Sequence, residues 1–233
     1  MKYITKYPYA KLERKTDSTT GIRHYKTPSG WVASVTTILG QTGDKTWLEN
    51  WKKWKGEKKA NQIRDEASAL GTVVHDNMEN FILHDRPVEK GTNFIWKLGG
   101  EMATILIEQG FSRVEEIWGI EEPLYLDGLY AGTTDLVGLF DGKPAIMDWK
   151  NTIKMKKRNQ LGDYRCQAVA YALAHNELYG TDIRTISIMM VDRELNFEAF
   201  VFEGKEFDES VDEWIARIEE YYEKCRTTPS EEG

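Results

Sequence analysis

The fold is decided by the stretch Leu129-Tyr-Ala-Gly-Thr-Thr-Asp135-Leu-Val-Gly-Leu-Phe140, then Asp141-Gly142, then Lys143-Pro-Ala-Ile-Met-Asp148-Trp-Lys150. Two β-rich apolar runs are joined by Asp-Gly, which is the strongest short-range signal for a tight antiparallel hairpin. A two-residue loop pairs Phe140 with Lys143. Pairing continued outward from there predicts that Asp135 lies opposite Asp148 on one face of the sheet, with Cβ atoms roughly 5 Å apart.

Lys150 follows Asp148 by two residues and therefore points to the same face of the strand. Because like charges placed opposite one another are unfavourable, the pattern predicts a positive group beside the two aspartates. A hard divalent cation with oxygen ligands is the natural candidate, and the lysine is placed to act next to it. The alternative is a surface hairpin in which these three residues form ordinary ion pairs.

Apolar residues occupy both faces of this hairpin. The register places Val137 and Ile146 on the carboxylate face, and it places Leu136, Phe140, Ala145 and Met147 on the other. Inner strands covered on both sides have this composition. Carboxylates are costly at the end of such a hairpin, which favours a functional role for them.

The order of predicted elements indicates an α/β protein (an α+β mixed sheet) with helices on both faces. We expect short strands over residues 20–39 and three helices before residue 110. A strand-rich region follows to Lys150, and then a helix, two strands and a closing helix. The predicted organisation is one domain, 1–233, in which a helical lobe, 40–110, covers the active site. No Gly-rich phosphate loop of either common kind is present.

Composition excludes several classes of protein. No apolar run approaches the roughly 18 residues that span a membrane, and the start of the sequence resembles neither a signal peptide nor an organelle presequence. The two cysteines, Cys166 and Cys225, have no metal-binding spacing, and we expect both to be small apolar residues in a reducing cytoplasm. They cannot hold an iron–sulfur cluster, which needs four ligands.

The net charge of −7 is unevenly distributed. From Glu203 onward there are 11 acidic and 4 basic residues, so the rest of the chain is neutral. Two local basic runs stand out, and each is either a solvated face or a contact to a phosphate backbone. The first supplies Lys52, Lys53 and Lys55, and the second supplies Lys154, Lys156, Lys157, Arg158 and Arg165.

Three tryptophans share one face of the first long helix. Trp47, Trp51 and Trp54 fall at positions i, i+4 and i+7. Tryptophans at helical spacing usually form a core face, which is what we expect here. The alternative is a platform on which bases of single-stranded nucleic acid stack.

Four further segments follow in a fixed order: Ser34-Val-Thr-Thr-Ile-Leu39, Gly71-Thr-Val-Val-His75, Gly132-Thr-Thr-Asp135 with Asp148-Trp-Lys150, and Gln167-Ala-Val-Ala-Tyr171. Together they resemble the PD-(D/E)XK nuclease superfamily in its RecB-like exonuclease branch. Within that branch the chain looks like the mitochondrial genome maintenance exonuclease and its phage relatives. The resemblance spans about residues 31 to 226. It implies a restriction-endonuclease-like core.

The resemblance also implies roles for individual residues. The implied metal ligands are His75, Asp135, Asp148 and the carbonyl of Trp149. The implied catalytic residues are Asp135, Asp148, Lys150 and Gln167, and Tyr171 would contact DNA. Glu79, one helical turn after His75, would orient a ligand or contact metal-bound water.

The expected function is that of a Mg²⁺- or Mn²⁺-dependent deoxyribonuclease that removes nucleotides from single-stranded DNA ends, in replication, repair or recombination. The chain lacks an organelle presequence and the cysteines of the iron–sulfur members, which favours a cytoplasmic enzyme of a phage-infected or bacterial cell. Two alternatives stay open. One is a non-catalytic nucleic-acid-binding or assembly module with a nuclease fold, and the other is a structure- or sequence-specific endonuclease.

Overall fold

The computed structural model describes residues 2–227, with the side chain of Trp47 excepted. Its strands are β1 (Lys2–Tyr3), β2 (Arg14–Thr16), β3 (Arg23–Thr27), β4 (Gly30–Ala33), β5 (Val114–Leu126), β6 (Tyr130–Phe140), β7 (Lys143–Thr152), β8 (Thr185–Asp192) and β9 (Phe197–Glu203). Its α-helices are α1 (Val35–Gln41), α2 (Thr46–Lys55), α3 (Glu57–His84), α4 (Phe94–Ile105), α5 (Gly162–Tyr179) and α6 (Lys205–Thr227).

A six-stranded sheet has the order β1-β5-β6-β7-β8-β9. β1 pairs with β5 in parallel and β7 pairs with β8 in parallel, whereas the other neighbours are antiparallel. The protein is therefore α/β with a mixed central sheet, as the sequence predicts. A separate three-stranded antiparallel sheet, β2-β3-β4, was not predicted as a distinct unit.

The hairpin of β6 and β7 has the predicted register. Phe140 pairs with Lys143, and the ladder continues to Leu136 and Met147, the last pair before the two aspartates. Asp141 and Gly142 have φ angles of 48° and 74°. A two-residue turn of this kind needs positive φ at both positions, which Asp-Gly tolerates, and its twist matches that of the strands.

Both faces of the sheet are covered, as predicted. Val137 and Ile146 lie in an apolar cluster formed with α1, α5 and α6. Leu136 and Met147 lie in a second cluster formed with α3 and α4 on the opposite face. The hairpin is therefore internal, and Asp135 and Asp148 at its end are buried.

The expectation of strands throughout residues 20–39 is wrong for its last five residues, 35–39. Residues 35–41 form α1, and Ser34 is its N-cap, with the hydroxyl oxygen accepting a hydrogen bond from the Thr37 amide at 3.0 Å. A capping serine satisfies an N–H group that a new helix would otherwise leave without a partner. This local hydrogen bond outweighs the strand preference of the β-branched residues that follow.

The expected tryptophan core face of α2 is also wrong. Trp54 is 75% exposed, Trp51 is half-buried, and the side chain of Trp47 lies outside the described residues. α2 packs against α3, and Trp54 near the end of α2 stays open to solvent.

No helix within residues 2–227 is long and apolar enough to cross a bilayer. Both cysteines are free, but only Cys166 is buried, whereas Cys225 is exposed. The expectation that both behave as core residues therefore holds for Cys166 alone.

Candidate active site

The end of the β6–β7 hairpin holds two buried carboxylates. Asp135 and Asp148 are 6% and 1% exposed. Oδ2 of Asp135 accepts a hydrogen bond from the Trp149 amide at 3.1 Å, and Oδ1 of Asp148 accepts one from Nζ of Lys150 at 2.7 Å. The remaining oxygen of Asp148, Oδ2, is buried and has no hydrogen-bond partner within the described chain. A buried carboxylate oxygen without a partner is costly, and a bound cation would offset that cost.

Burial and mutual repulsion set the protonation of this pair. Burial raises the pKa of Asp135, and it raises the pKa of Asp148 to about 7, with a further increase from the neighbouring Asp135. Although burial alone would lower the pKa of Lys150, the two carboxylates raise it overall. The lysine therefore keeps its proton at neutral pH, and the aspartates gain from any added positive charge.

His75 of α3 reaches the same place from the other side of the hairpin end. Its Nδ1 lies 3.1 Å from a carboxylate oxygen of Glu121 and 3.9 Å from Oδ1 of Asp135. Its ring meets the indole of Trp149 edge-on, with centroids 5.6 Å apart. Burial lowers the pKa of His75, but the carboxylates of Asp135 and Glu121 outweigh burial and raise it.

The acid that contacts His75 is thus Glu121 of β5. Glu79 does not line the cavity that His75 and Glu121 share. Glu121 was missed from the sequence. Its φ angle is 50°, in the left-handed region, although it lies within a strand and is not glycine. Its neighbours Ile120 and Glu122 pair with Leu136 and Thr134, so the residue across from Glu121 is Asp135. Strained backbone of this kind is concentrated at functional sites.

These residues offer a suitable set of ligands for a divalent metal ion. One ligand atom from each of His75, Glu121 and Asp135 can be chosen so that all lie within 4.8 Å of one another. Carboxylate oxygens and imidazole nitrogen suit Mg²⁺, Mn²⁺ and similar ions. The structure therefore brings together the predicted ligands His75 and Asp135, adds Glu121, and leaves an unpartnered oxygen of Asp148 nearby. Ligation by the Trp149 carbonyl stays a prediction.

A cavity of about 230 Å³ opens over these groups, and we call it the carboxylate pocket. Helix α5 contributes Gln167 and Tyr171 to its wall, and their predicted catalytic and DNA-contacting roles stay predictions. Tyr171 is 2% exposed, and burial raises the pKa of its hydroxyl. The Tyr171 hydroxyl lies 2.7 Å from where a Cβ on Gly132 would stand, so only glycine allows this approach.

The small sheet contributes Arg14, Arg23 and Tyr25 to the pocket, and the sequence did not reveal them. The start of α1 contributes Ser34 and Thr36. Arg23 is half-buried, and its Nε has no hydrogen-bond partner within residues 2–227. Guanidinium groups facing a metal site are suited to hold a phosphate group.

The predicted basic residues have different surroundings. Lys52, Lys53 and Lys55 lie exposed on α2, and Lys154 and Lys157 are exposed after β7. Nζ of Lys156 donates to the Tyr164 hydroxyl at 3.1 Å. By contrast, Arg158 forms an ion pair with Glu206, and Arg165 one with Glu213. The structure does not bring these two arginines into the carboxylate pocket.

No protein-family model and no curated protein matches the chain. Among solved structures, the chain is similar to a crystal structure described as a "Putative exonuclease" from Eubacterium rectale. The sequence identity is 15% and the TM-score is 0.48. The match covers 68% of this chain and 65% of the other, so the chain spans about two thirds of that protein's length.

Proposed function

We propose that this protein is a metal-dependent deoxyribonuclease of the RecB-like branch of the PD-(D/E)XK superfamily, acting as an exonuclease on single-stranded DNA. The observation that carries the proposal is that His75, Glu121, Asp135 and Lys150 line one pocket, and that Lys150 also contacts the buried carboxylate of Asp148. Buried carboxylates beside a protonated lysine fit phosphodiester hydrolysis, which develops negative charge on phosphate oxygens.

The metal would be held by His75, Glu121 and Asp135, with Asp148 contributing its unpartnered oxygen. When bound, Mg²⁺ or Mn²⁺ would lower the pKa of a water molecule and neutralise charge on the phosphate. The chemistry of the ligand set supports this assignment because carboxylate oxygens and an imidazole nitrogen suit such ions, while Lys150, Arg14 and Arg23 of the same pocket carry positive charge that suits a phosphate. His75 must be neutral at its ligating nitrogen in order to bind, and the Glu121 carboxylate is placed to orient the ring.

Lys150 acts in this proposal as a cationic hydrogen-bond donor. Its raised pKa means that it carries its proton at neutral pH. It is therefore suited to orient the attacking water or to stabilise charge on the phosphate, and unsuited to remove a proton. Gln167 and Tyr171 hold the wall of the pocket, and the carbonyl of Trp149 is a further candidate ligand.

Single-stranded DNA suits the size and charge of the pocket. A cavity of about 230 Å³ holds a phosphate group and part of a nucleotide, whereas a stiff duplex cannot bend into it. Arg14 and Arg23 line its wall and would bind the phosphate backbone. The exposed lysines Lys52, Lys53, Lys55, Lys154 and Lys157 would hold the strand outside it. A pocket walled by α3 on one side and the small sheet on another favours threading of a free end.

The test uses purified protein and four labelled substrates: linear single-stranded DNA, the same sequence as a closed single-stranded circle, linear duplex and single-stranded RNA. Each is incubated with Mg²⁺, with Mn²⁺ and with EDTA, beside the variant Asp148→Asn. We expect metal-dependent release of short products from the linear DNA strand, with the circle left intact.

Three outcomes would contradict the proposal in different ways. Equal cleavage of circle and line would replace the exonuclease with an endonuclease. Preferred cleavage of RNA would change the substrate. Tight DNA binding without cleavage under any metal would leave a binding module with a nuclease fold.

A further inference from the structure

Residues 4–13 connect β1 to β2 without forming a helix or a strand, and we call this segment the strap. At its start the Ile4 amide donates a hydrogen bond to the carbonyl of Ile117 in β5 at 2.8 Å. At its end the Glu13 carbonyl accepts one from the Lys26 amide of β3 at 2.9 Å. The strap therefore runs from the central sheet to the small sheet. Between these two ends, its half-buried side chains are those of Tyr7, Tyr9 and Leu12.

The middle of the strap lies on α5, the helix that carries Tyr171 to the carboxylate pocket. The rings of Tyr7 and Tyr9 meet the imidazole of His175, with centroids 4.8 and 5.9 Å away. His175 is fully buried and follows Tyr171 by one helical turn. A Cβ on Gly119 would stand 2.7 Å from the ring of Tyr9, so glycine at that position of β5 gives the ring its space.

The hydrogen bonds around His175 allow one arrangement of protons. Burial lowers the pKa of His175 to about 4, so near pH 7 one ring nitrogen donates and the other accepts. The Ile183 amide donates to Oδ1 of Asn176 at 2.8 Å, which identifies that atom as the oxygen. The Thr181 hydroxyl gives its only proton to the same oxygen, at 2.7 Å. Nδ1 of His175, 2.8 Å from the Thr181 hydroxyl, must therefore be the donor of that pair. Nε2 is then the acceptor, and the Tyr9 hydroxyl donates to it at 3.2 Å.

The end of the strap leads into β2 and Arg14. This strand lies at the edge of the small sheet, and its three residues are all exposed. Arg14 is opposite Tyr25 in the pairing with β3, and both residues line the carboxylate pocket. Leu12 of the strap packs against the small apolar cluster that contains Tyr25. Arg14 makes no ion pair and no side-chain hydrogen bond within residues 2–227, so its direction depends on the backbone of β2.

We propose that Tyr9 and His175 position Arg14 at the carboxylate pocket. Their hydrogen bond holds the strap against α5, and the strap holds an edge strand that has little packing of its own. The same contact joins α5 to the small sheet, two walls of the pocket that are far apart in the sequence. The role of Arg14 at a DNA phosphate rests on the proposed nuclease function, whereas the contact between Tyr9 and His175 does not.

The first measurement is amide hydrogen exchange by NMR on the full-length protein in EDTA, so that neither metal nor turnover enters the result. The Lys26 amide reports on the strap because its acceptor is the Glu13 carbonyl. Tyr9→Phe removes one hydroxyl and leaves Nε2 of His175 buried without a donor. Exchange at Lys26 should therefore rise about five-fold, as loss of one hydrogen bond implies. The amides of the β6–β7 hairpin should keep their rates.

Tyr7→Phe is the matched control. Tyr7 lies two residues before Tyr9 and also contacts the ring of His175, but its hydroxyl makes no hydrogen bond within residues 2–227. The Lys26 amide should exchange in this variant as it does in the unaltered protein. Equal rates in Tyr7→Phe and Tyr9→Phe, or a rise of the same size throughout the β6–β7 hairpin, would overturn the proposal.

The second measurement separates positioning of Arg14 from general stability. Turnover of linear single-stranded DNA at saturation is compared in Tyr9→Ala, Arg14→Ala and the double variant. Arg14→Ala should lower turnover about ten-fold, as loss of a charged hydrogen bond implies. Tyr9→Ala, which loses the ring as well as the hydroxyl, should lower it by nearly as much. If Tyr9 acts through Arg14, the double variant is no slower than Arg14→Ala. A double variant in which the two losses multiply would show that Tyr9 acts elsewhere.

The two proposals fail separately. If the unaltered protein does not cleave DNA, the nuclease is disproved, and exchange at Lys26 alone decides whether Tyr9 holds the strap in place. If the protein cleaves DNA and the Lys26 amide exchanges equally in Tyr9→Phe and Tyr7→Phe, the nuclease stands and the Tyr9 hydroxyl has no part in placing Arg14.

Discussion

Asp135 of the carboxylate pocket and Asp148, which contacts Lys150 of that pocket, are 6% and 1% exposed and are fixed by hydrogen bonds, whereas Lys52, Lys53 and Lys55 of α2 all lie at the surface. The two aspartates hold their negative charge in buried surroundings, beside the cationic side chain of Lys150. Helix α2 spreads positive charge where water and salt screen it. Buried charges act strongly on one bound group, and exposed charges act weakly on many phosphates.

For the proposed nuclease, the comparison implies that catalysis and DNA binding are separable. Substitutions in the pocket should alter turnover and metal affinity with little effect on DNA affinity. Substitutions on α2 should alter DNA affinity and its salt dependence with little effect on turnover at saturation. Each of the following predictions tests one side of that division.

The largest expected effect is that of Asp148→Asn. The amide keeps the shape of the side chain but removes a negative charge from the proposed metal site. Cleavage under saturating DNA should fall by about 10²–10³-fold, while DNA affinity measured in EDTA should change by less than about two-fold. Lys150→Arg, which keeps the positive charge, is the comparison variant. Full activity in Asp148→Asn, in a preparation free of contaminating nuclease, would remove the pocket from the mechanism.

The second prediction concerns metal affinity and pH. Asp148 has an ordinary pKa of 3.8 that the fold raises to about 7, and the pKa of His75 is raised as well. Because folding raises the pKa of both groups, the metal-free protein is most stable when both are protonated. It loses this stability as the pH rises through their pKa values in the folded protein. Metal ions compete with the same protons. The increase in Tm on adding Mg²⁺ should therefore be larger at about pH 8 than at about pH 6.

Variants of the ligands separate this effect from general stabilisation. His75→Ala and Glu121→Gln should each weaken Mn²⁺ binding at least about ten-fold in calorimetry, as loss of a metal contact implies. Glu79→Gln, one turn from His75 and outside the pocket, should leave it unchanged. An increase in Tm that is independent of pH, with His75→Ala binding Mn²⁺ normally, would make the histidine a structural residue.

The third prediction concerns the three exposed lysines of α2. Replacing Lys52, Lys53 and Lys55 together with alanine should lower the slope of log affinity against log salt, by up to about 2 if each contacts one phosphate. Turnover at saturating DNA should not change. Lys205→Ala, a single exposed lysine of the acidic helix α6, should leave the slope as it is. A triple variant with the original slope would show that the strand does not pass over α2.

The hairpin could be predicted from the sequence because all of its determinants are local. Asp141-Gly142 defines the turn, and alternation with period two then fixes which face Asp135 and Asp148 occupy. The helix that carries His75 was visible for the same reason, through apolar residues at three- and four-residue steps. Local signals were thus enough to predict His75 and Asp135 as ligands and to place Asp148 beside Asp135.

Glu121, Arg14 and Arg23 could not be predicted because their positions depend on contacts between distant segments. The pairing of β5 with β6 shifts register twice, between Val114 and Glu116 and between Ile117 and Gly119. Counting residues therefore cannot place Glu121 opposite Asp135. The two arginines lie on strands of three and five residues, whose packing beside the hairpin no periodicity reveals.

The fourth prediction concerns Trp54, which is 75% exposed. Nζ of Lys55 lies over its ring, 4.1 Å from the centroid. If a DNA base stacks on this ring, Trp54→Ala should weaken single-stranded DNA binding by about five-fold, at the lower end of measured stacking energies. Trp54→Phe should keep most of the affinity, and melting temperature should barely change in either variant. A substantial loss of stability with unaltered DNA affinity would show instead that the ring is part of the packing between α2 and α3.

The smallest effect, and the sharpest test of how the two regions differ, concerns the backbone at Glu121. This residue has a φ angle of 50°, whereas none within α2 has a positive φ. Holding an L-residue in the left-handed region costs about 1 kcal/mol, which glycine does not pay. Both Glu121→Gly and Glu121→Ala lose the contact with His75. The free energy of unfolding, measured by denaturant titration, should nevertheless be about 1 kcal/mol higher for Glu121→Gly.

The same pair of substitutions at Glu122, the next residue of β5, provides the control. Its φ is not positive, so Glu122→Gly should be less stable than Glu122→Ala, as glycine is in an ordinary strand. Opposite signs at adjacent residues would show that the fold gives up stability in order to aim the Glu121 carboxylate at His75. If glycine is less stable than alanine at both positions, no backbone strain is stored at Glu121, and the backbone of the pocket is then as unstrained as that of α2.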